Sequence, residues 1–148
     1  YEQLMMQYYG AGVQACYRGP RLYDTEETKQ TVIKVINWYK KYRDILNSDI
    51  IHLRRADGRD WDGILHVNPS LKEKGLMMIY NPTNERMTKT IKVPLKYTGL
   101  SDVVRVSEKG EAAKTYKLNH DDTIDMTFTL NPGGYSWFVI EGLRNNKL

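Results

Sequence analysis

Cysteine is almost absent from this sequence of 148 residues. Cys16 is the only one, so no disulfide can form within the chain, and the lone thiol does not decide the cellular compartment. No histidine lies near Cys16 in the sequence, and a nucleophilic cysteine needs such a base beside it. We therefore assign no catalytic role to Cys16.

Long hydrophobic runs are also missing. No stretch approaches the ~18 consecutive apolar residues of a membrane-spanning helix, so we expect no membrane partner. The first residues, 1–7, have the pattern of neither a signal peptide nor a transit peptide. Because the chain begins at Tyr1 rather than Met, we expect a mature or excised piece of a longer protein.

A strong charge of one sign is lacking. The 22 Lys and Arg residues are interleaved with 18 Asp and Glu residues, and the net charge is +4. The basic clusters at 40–43 and 54–55 are short. This pattern is typical of an ordinary mixed-charge surface, and we expect no nucleic-acid partner.

Residues 24–47 carry the clearest helical pattern. Asp24 suits the N-cap position, and Glu27 three residues later completes a pattern resembling a capping box. An apolar stripe follows at helical spacing, and such a helix needs a partner surface because propensity alone leaves it marginal. Residues 1–23 are predicted to be irregular, with 10–16 either a buried strand or a loop. The stripe consists of Val32, Val35, Ile36, Tyr39, Tyr42 and Leu46.

Everything after residue 49 reads as strands separated by turn residues. Seven or eight short strands at this spacing predict a mainly β fold: an antiparallel β-sandwich of Greek-key type, preceded by one long helix. Pro94 cannot donate to a ladder, so its strand is predicted to lie at an edge or to be locally bulged. One face of this strand carries Met87, Ile91, Val93, Leu95 and Tyr97. Residues 135–141 are apolar on both faces. The predicted strands are 50–55, 63–67, 75–80, 87–97, 103–106, 115–118, 123–130 and 135–141.

Motifs for catalysis, metals and cofactors are absent from the sequence. His52, His66 and His120 are the only histidines. No pair has the spacing of metal ligands on a helix, so core or surface roles are favoured. The sequence has no nucleophile elbow and no phosphate-binding loop. We predict no metal and no cofactor.

The loop 57–62 offers two interpretations. Trp61, flanked by Asp60 and other carboxylates, has the composition of a sugar-binding platform. Asp and Gly equally satisfy turn geometry, with Trp61 covering the core, and we favour this second interpretation. The first 23 residues contain more tyrosines than one loop needs. The candidates for a ligand or interdomain surface are Tyr8, Tyr9, Tyr17 and Tyr23.

Several stretches carry a family resemblance. Residues 38–46 (WYKKYRDIL) followed by the strand 50–54 resemble the junction in α-galactosidase-like (melibiase-type) glycoside hydrolases, where the last barrel helix leads into a C-terminal β-sandwich. The Asn-Pro turns at 68–69 and 81–82 fit that arrangement, and residues 134–141 resemble its closing strand. The resemblance spans most of residues 24–141.

The resemblance implies two parts. Residues 1–48 would be the remnant of a preceding (β/α)₈ barrel with its last helix, and 49–148 a β-sandwich accessory domain. Residues 10–16 would be the last barrel strand or the approach to it. Tyr17, Arg18 and Arg21 would follow on the face where barrel active sites form, and would help to line a sugar site in the intact enzyme. The partner would be the catalytic domain of the parent chain. A secreted or periplasmic location is also implied.

Two other functions compete with this interpretation, of which the first remains open and the second is disfavoured. A carbohydrate-binding module would hold a glycan through Trp61, Asp60 or the segment 17–23. An immunoglobulin-type interaction domain is disfavoured because its Cys-Trp-Cys framework is missing.

We predict that the isolated chain does not hydrolyse glycosides. The family's catalytic carboxylates come from earlier barrel strands, and a glycosidase needs two carboxyl groups flanking the bond. Incubation of the purified chain with a panel of aryl glycosides should release no aglycone. Reproducible turnover would contradict the assignment of an accessory role.

Overall fold

The computed structural model describes residues 2–13 and 25–143. They form three layers: two helices, a six-stranded sheet, and a two-stranded sheet. A short 3₁₀ turn, Lys96–Thr98, follows the fourth strand. The helices and strands are α1 (Glu2–Gly10), α2 (Glu26–Leu46), β1 (Asp49–Arg54), β2 (Asp62–Val67), β3 (Gly75–Tyr80), β4 (Met87–Pro94), β5 (Val103–Glu108), β6 (Lys114–Lys117), β7 (Thr123–Leu130) and β8 (Tyr135–Gly142).

The strand order confirms the predicted antiparallel sandwich. The larger sheet has the order β1-β2-β3-β8-β5-β6, and β4 pairs with β7 in the smaller sheet. Every paired strand is antiparallel to its neighbour. Side chains of β4 and β7 pack with those of the larger sheet in one core cluster, so the smaller sheet covers one of its faces.

The core between the sheets follows the alternation read from the sequence. Along β7 every second side chain is buried, from Ile124 to Leu130. Pro94 ends β4, which has β7 as its one partner strand among the described residues, so the predicted edge position is confirmed. Tyr97 is a correction: it lies in the 3₁₀ turn beyond the strand and is 66% exposed, because the alternation stops at Pro94.

Strands β3 and β8 lie at the centre of the larger sheet and are apolar on both faces. Met77 and Phe138 face the smaller sheet, whereas Leu76, Met78 and Val139 face the helices. The prediction that both faces of the last strand are covered is therefore confirmed. A sheet of this kind needs a layer on each side.

Helix α2 supplies the outer layer. Its N-cap is Thr25 rather than the predicted Asp24, and Thr25 Oγ1 accepts a hydrogen bond from Thr28 N at 3.1 Å. The predicted stripe packs on the sheet, at roughly 1.5–3 kcal/mol for each large side chain buried. Trp38 and Tyr42 contact Trp137 of β8 with ring centroids 5.6 and 5.2 Å apart. The buried residues of the helix are Val32, Val35, Tyr39, Tyr42, Ile45 and Leu46.

Helix α1 corrects the prediction for the first residues. Residues 2–10 were expected to be irregular and instead form a helix that buries Met5 and Met6 against the sheet. Gly10 ends this helix and a turn follows at 11–12, so of the two alternatives for 10–16, a strand or a loop, a strand does not begin at Gly10. Residues 14–16 lie outside the described part of the chain. The helical period was hidden because α1 is only nine residues long.

The two helices run parallel to each other. Consecutive helices joined by a short connection normally run antiparallel. In βα repeats, by contrast, successive helices run parallel to each other. The contacts follow the same order along both helices: Glu2 with Lys34, Tyr9 with Tyr39, and Gly12 with Leu46.

We expect Gly10→Ala to destabilise the fold by about 1–3 kcal/mol, because the added methyl overpacks the contact between α1 and β3. A Cβ there would lie 2.5 Å from Tyr80 Oη and 2.8 Å from Met78 Cε. The free energy of unfolding from urea titration measures the effect.

Tyr80→Phe provides the control for this contact because it removes the nearest atom. In that background Gly10→Ala should cost less, by about 1 kcal/mol in a double-mutant cycle. Equal costs in both backgrounds would show that the Tyr80 hydroxyl does not limit the space beside Gly10.

Candidate functional site

Two tyrosine hydroxyls attach α1 to the larger sheet. Tyr80 donates a hydrogen bond to the Met6 carbonyl at 3.0 Å, and Tyr135 donates to Glu2 Oε1 at 2.5 Å. Lys34 of α2 reaches the same Glu2 oxygen at 3.0 Å. The hydrogen bond from Tyr135 is the main cause that lowers the pKa of Glu2, with Lys34 adding to it against partial burial. Helix α1 is thus held by polar contacts as well as by its methionines.

His66 forms a third attachment. Its side chain is fully buried in β2, and Nε2 donates a hydrogen bond to the Gly10 carbonyl at 2.5 Å. Nδ1 has no hydrogen-bond partner among the described residues. Burial lowers the pKa of His66 below its ordinary 6.5, and the bond to Gly10 opposes this only in part. The imidazole is therefore a neutral structural group, as the sequence favoured.

The loop before β2 is organised around Arg54. Its guanidinium makes two hydrogen bonds to the Asp57 carboxylate, at 3.0 and 3.1 Å, and one to the Trp61 carbonyl at 2.8 Å. The Arg54 contact lowers the pKa of Asp57 to about 2. Asp57 therefore acts as an ionised loop clamp rather than as an acid at neutral pH.

Trp61 and Asp60 occupy structural positions in this loop. The Trp61 ring is 9% exposed and packs edge-on against Phe128 with centroids 5.4 Å apart. Asp60 Oδ1 accepts a hydrogen bond from Trp61 N at 2.8 Å, and Oδ2 lies 3.5 Å from Lys89 Nζ. The geometry fits the interpretation of a turn whose Trp covers the core. A contact of either residue with sugar stays a prediction.

The remaining predicted site residues are not described by the structure. Tyr17, Arg18 and Arg21 lie outside the described ranges, as do Cys16 and Tyr23. Of the tyrosines proposed for a ligand or interdomain surface, Tyr9 packs on Tyr39 in the helix layer, whereas Tyr8 is 47% exposed.

A cleft of about 490 Å³ lies where α1 meets the start of β2 and the β7–β8 turn. Gln3 and Gln7 line it from one side of α1, and Asp62 lines it from the sheet. Burial raises the pKa of Asp62 above its ordinary value of 3.8. The sequence reading missed this cleft. Its one signal was the i, i+4 spacing of the two glutamines, which gains meaning only once α1 is known to be a helix.

A second surface consists of large apolar side chains on the helix layer that face solvent. Leu4 is 56% exposed, Val13 53% and Ile33 41%, in addition to Tyr8. Leu4 and Tyr8 are spaced i, i+4 and share one face of α1. We call Leu4, Tyr8, Val13 and Ile33 the outer helix face. Leu4 and Tyr8 together form an exposed apolar pair of the kind that occurs in interaction surfaces.

Residues 2–13 and 25–143 contain neither a metal-binding cluster nor a membrane-spanning helix. Among them, no cluster of three or more His, Cys, Asp or Glu side chains has the geometry to hold a metal ion. Neither helix has the length and apolar character needed to span a bilayer.

Neither a protein-family model nor a curated protein matches the sequence. Solved structures do share its fold. The GH27 β-L-arabinopyranosidase of Geobacillus stearothermophilus matches with a TM-score of 0.66 at 11% identity, over 99% of this chain and 31% of the other. A Bacteroides fragilis protein described as an α-galactosidase/melibiase matches with a TM-score of 0.59 at 16% identity, over 95% of this chain and 28% of the other.

The α-amylase of Geobacillus thermoleovorans, solved with acarbose, matches with a TM-score of 0.58 at 14% identity, over 99% of this chain and 33% of the other. The chain therefore spans about a third of the length of these neighbours or less. The resemblance to the melibiase-type fold is confirmed. At these identities the likeness concerns the fold alone.

We expect acid to destabilise the fold through His66 between pH 6.5 and its lowered native pKa. The unfolded chain binds a proton there that the buried imidazole does not, so the free energy of unfolding should fall as the pH drops from 7.5 toward 5. His66→Gln, which keeps a donor for Gly10, should flatten this slope in urea titrations.

The matched control is His120→Gln, because His120 lies in an exposed turn away from α1. It should leave the slope as in the native chain. An unchanged slope in His66→Gln would show that other groups cause the acid sensitivity.

Proposed function

We propose that this chain is the non-catalytic C-terminal accessory part of a larger carbohydrate-active enzyme of the glycoside hydrolase type, and that it stabilises the catalytic barrel. One observation carries the proposal: nearly the whole chain superimposes on about a third of several sugar-processing enzymes. The barrel-derived part would be 1–48 and the sandwich 49–148.

The parallel helices support a barrel origin for the first part. Successive helices of a (β/α)₈ barrel run parallel around the outside, each separated from the next by a strand. The order of contacts between α1 and α2 reproduces that arrangement. In such a barrel, each helix buries one side on the strands, and an additional domain can cover another side.

The outer helix face is where the proposed catalytic domain would dock. The opposite side of both helices is already buried on β2, β3 and β8. Leu4, Tyr8 and Ile33 would then exchange water for the apolar surface of the barrel, at about 25 cal/mol for each Å² buried. The proposal thus gives each apolar side of the helix layer a partner.

The carboxylates near the cleft and the 57–62 loop do not make a glycosidase pair. Asp57 is held by Arg54, and Asp60 by Trp61 N and Lys89. Asp62 lines the cleft from the sheet, but Glu2 is engaged by Tyr135 and Lys34. This arrangement favours a structural rather than a catalytic role for the described residues.

We expect Leu4→Asp combined with Ile33→Asp to destabilise the complete gene product but not this chain alone. Both side chains face solvent in this chain, so the charges cost little here, whereas in the docked enzyme they would be buried without partners. Thermal unfolding of both proteins, with glycosidase activity of the complete product, measures the difference.

Thr88→Asp combined with Thr90→Asp is the matched control on the opposite layer, where both threonines pair across the smaller sheet with Thr129 and Thr127. Its effect should be the same in both proteins. Equal effects of the Leu4 and Ile33 changes in both proteins would contradict docking, as would a complete gene product without a barrel-length region before Tyr1.

A further inference from the structure

The cleft at the start of β2 combines a suitable size with polar side chains that form no hydrogen bond within the described residues. At about 490 Å³ it falls within the range of small-ligand sites, and it is large enough for one sugar ring. Gln3 and Gln7 approach from α1, Asp62 from β2, and Gly133 from the β7–β8 turn. Three separate elements therefore converge on one space.

The polar groups in this cleft divide into committed and uncommitted ones. Tyr80 and Tyr135 donate to Met6 and Glu2, so their rings serve as walls. The side-chain amide of Asn81 is buried, and its nitrogen donates hydrogen bonds to backbone carbonyls. Gln3, Gln7 and Asp62 form no hydrogen bond through their side chains to any residue within 2–13 or 25–143.

We propose that this cleft binds a neutral saccharide, with Asp62 and the two α1 glutamines as partners for the hydroxyls of one sugar ring. A carboxylate accepts hydrogen bonds from hydroxyl groups, and each glutamine amide can both donate and accept, as a hydroxyl can. Tyr80, Pro82 and Tyr135 supply apolar wall for the C–H surface of the ring.

A cation is the competing ligand, and the chemistry disfavours it. Calcium takes six to eight oxygen ligands, usually with several carboxylates, and Asp62 is the one carboxylate among the residues lining this cleft. Burial already disfavours the charged form of Asp62, as its raised pKa shows. A neutral partner that donates to the carboxyl group suits both of its protonation states.

The inference deepens the alternative of carbohydrate binding and is independent of the docking proposal. It locates the ligand at the α1 cleft rather than at Trp61. If no sugar binds, the docking proposal still stands. If the Leu4 and Ile33 changes act equally in both proteins, the proposal for the cleft still stands.

The test is a titration of the ¹⁵N-labelled chain with D-galactose, L-arabinose and D-glucose, followed by amide chemical shifts. At least one sugar should shift the amides of Gln7, Gly133 and Tyr135 with millimolar affinity. Gln3→Ala combined with Gln7→Ala should weaken binding at least about fivefold, because each lost neutral hydrogen bond costs about 1 kcal/mol. Asp62→Asn should also weaken it.

Gln30→Ala is the matched control, since Gln30 is an exposed glutamine on α2 outside the cleft. It should leave the affinity unchanged. If Asp62→Asn fails to fold, the glutamine pair still decides, because both side chains are exposed. The proposal is overturned if no sugar shifts the cleft amides, if the glutamine changes leave binding intact, or if calcium chloride shifts these amides and no sugar does.

Discussion

Both faces of the six-stranded sheet are apolar at its centre, and the rest of the architecture follows from the need to cover them. β3 alternates between Met77 and Ile79 on one side and Leu76 and Met78 on the other, all fully buried. The β4–β7 pair covers the first side. The second side requires a layer from elsewhere in the chain, because exposing it would forfeit about 25 cal/mol for each Å² left in water.

The two helices cover the second side of the sheet, and polar contacts fix the position of α1 on it. His66, Tyr80 and Tyr135 each bond to α1, at Gly10, Met6 and Glu2. Hydrophobic contact alone is non-directional, whereas these bonds set the position of α1 along the sheet. The absence of a side chain at Gly10 allows the end of the helix to approach Tyr80 and Met78 closely. These contacts hold α1 beside the sheet, where Gln3 and Gln7 line the α1 cleft.

The helix layer therefore has an inner side that is buried on the sheet and an outer side that exposes apolar residues. The inner side contacts the sheet, and the outer helix face carries Leu4, Tyr8 and Ile33 toward solvent. The parallel helices, the fold shared with parts of larger enzymes and the exposed apolar side chains all fit the proposal that this chain docks on a catalytic domain. The cleft beside α1 adds a surface at which such a domain could contact the sugar itself.

The sequence by itself determined the periodic elements. Alternation in residues 123–130, the stripe of α2 and the doubly apolar run 135–141 each report local burial, and hydrophobic period is a local signal. The strand bounds it predicted differ from the observed ones by one or two residues in most cases, and the fold class was correct. The burial of Trp61 and its packing on Phe128 also fit the interpretation of a turn that covers the core.

The tertiary structure alone decided the rest. Helix α1 is too short to show its period, and its stability comes from the sheet rather than from propensity. Asp62 lies more than fifty positions from Gln3 and Gln7 in the sequence, and no local pattern connects it to them. Their convergence depends on three long-range hydrogen bonds to α1, so the cleft exists only once the chain has folded.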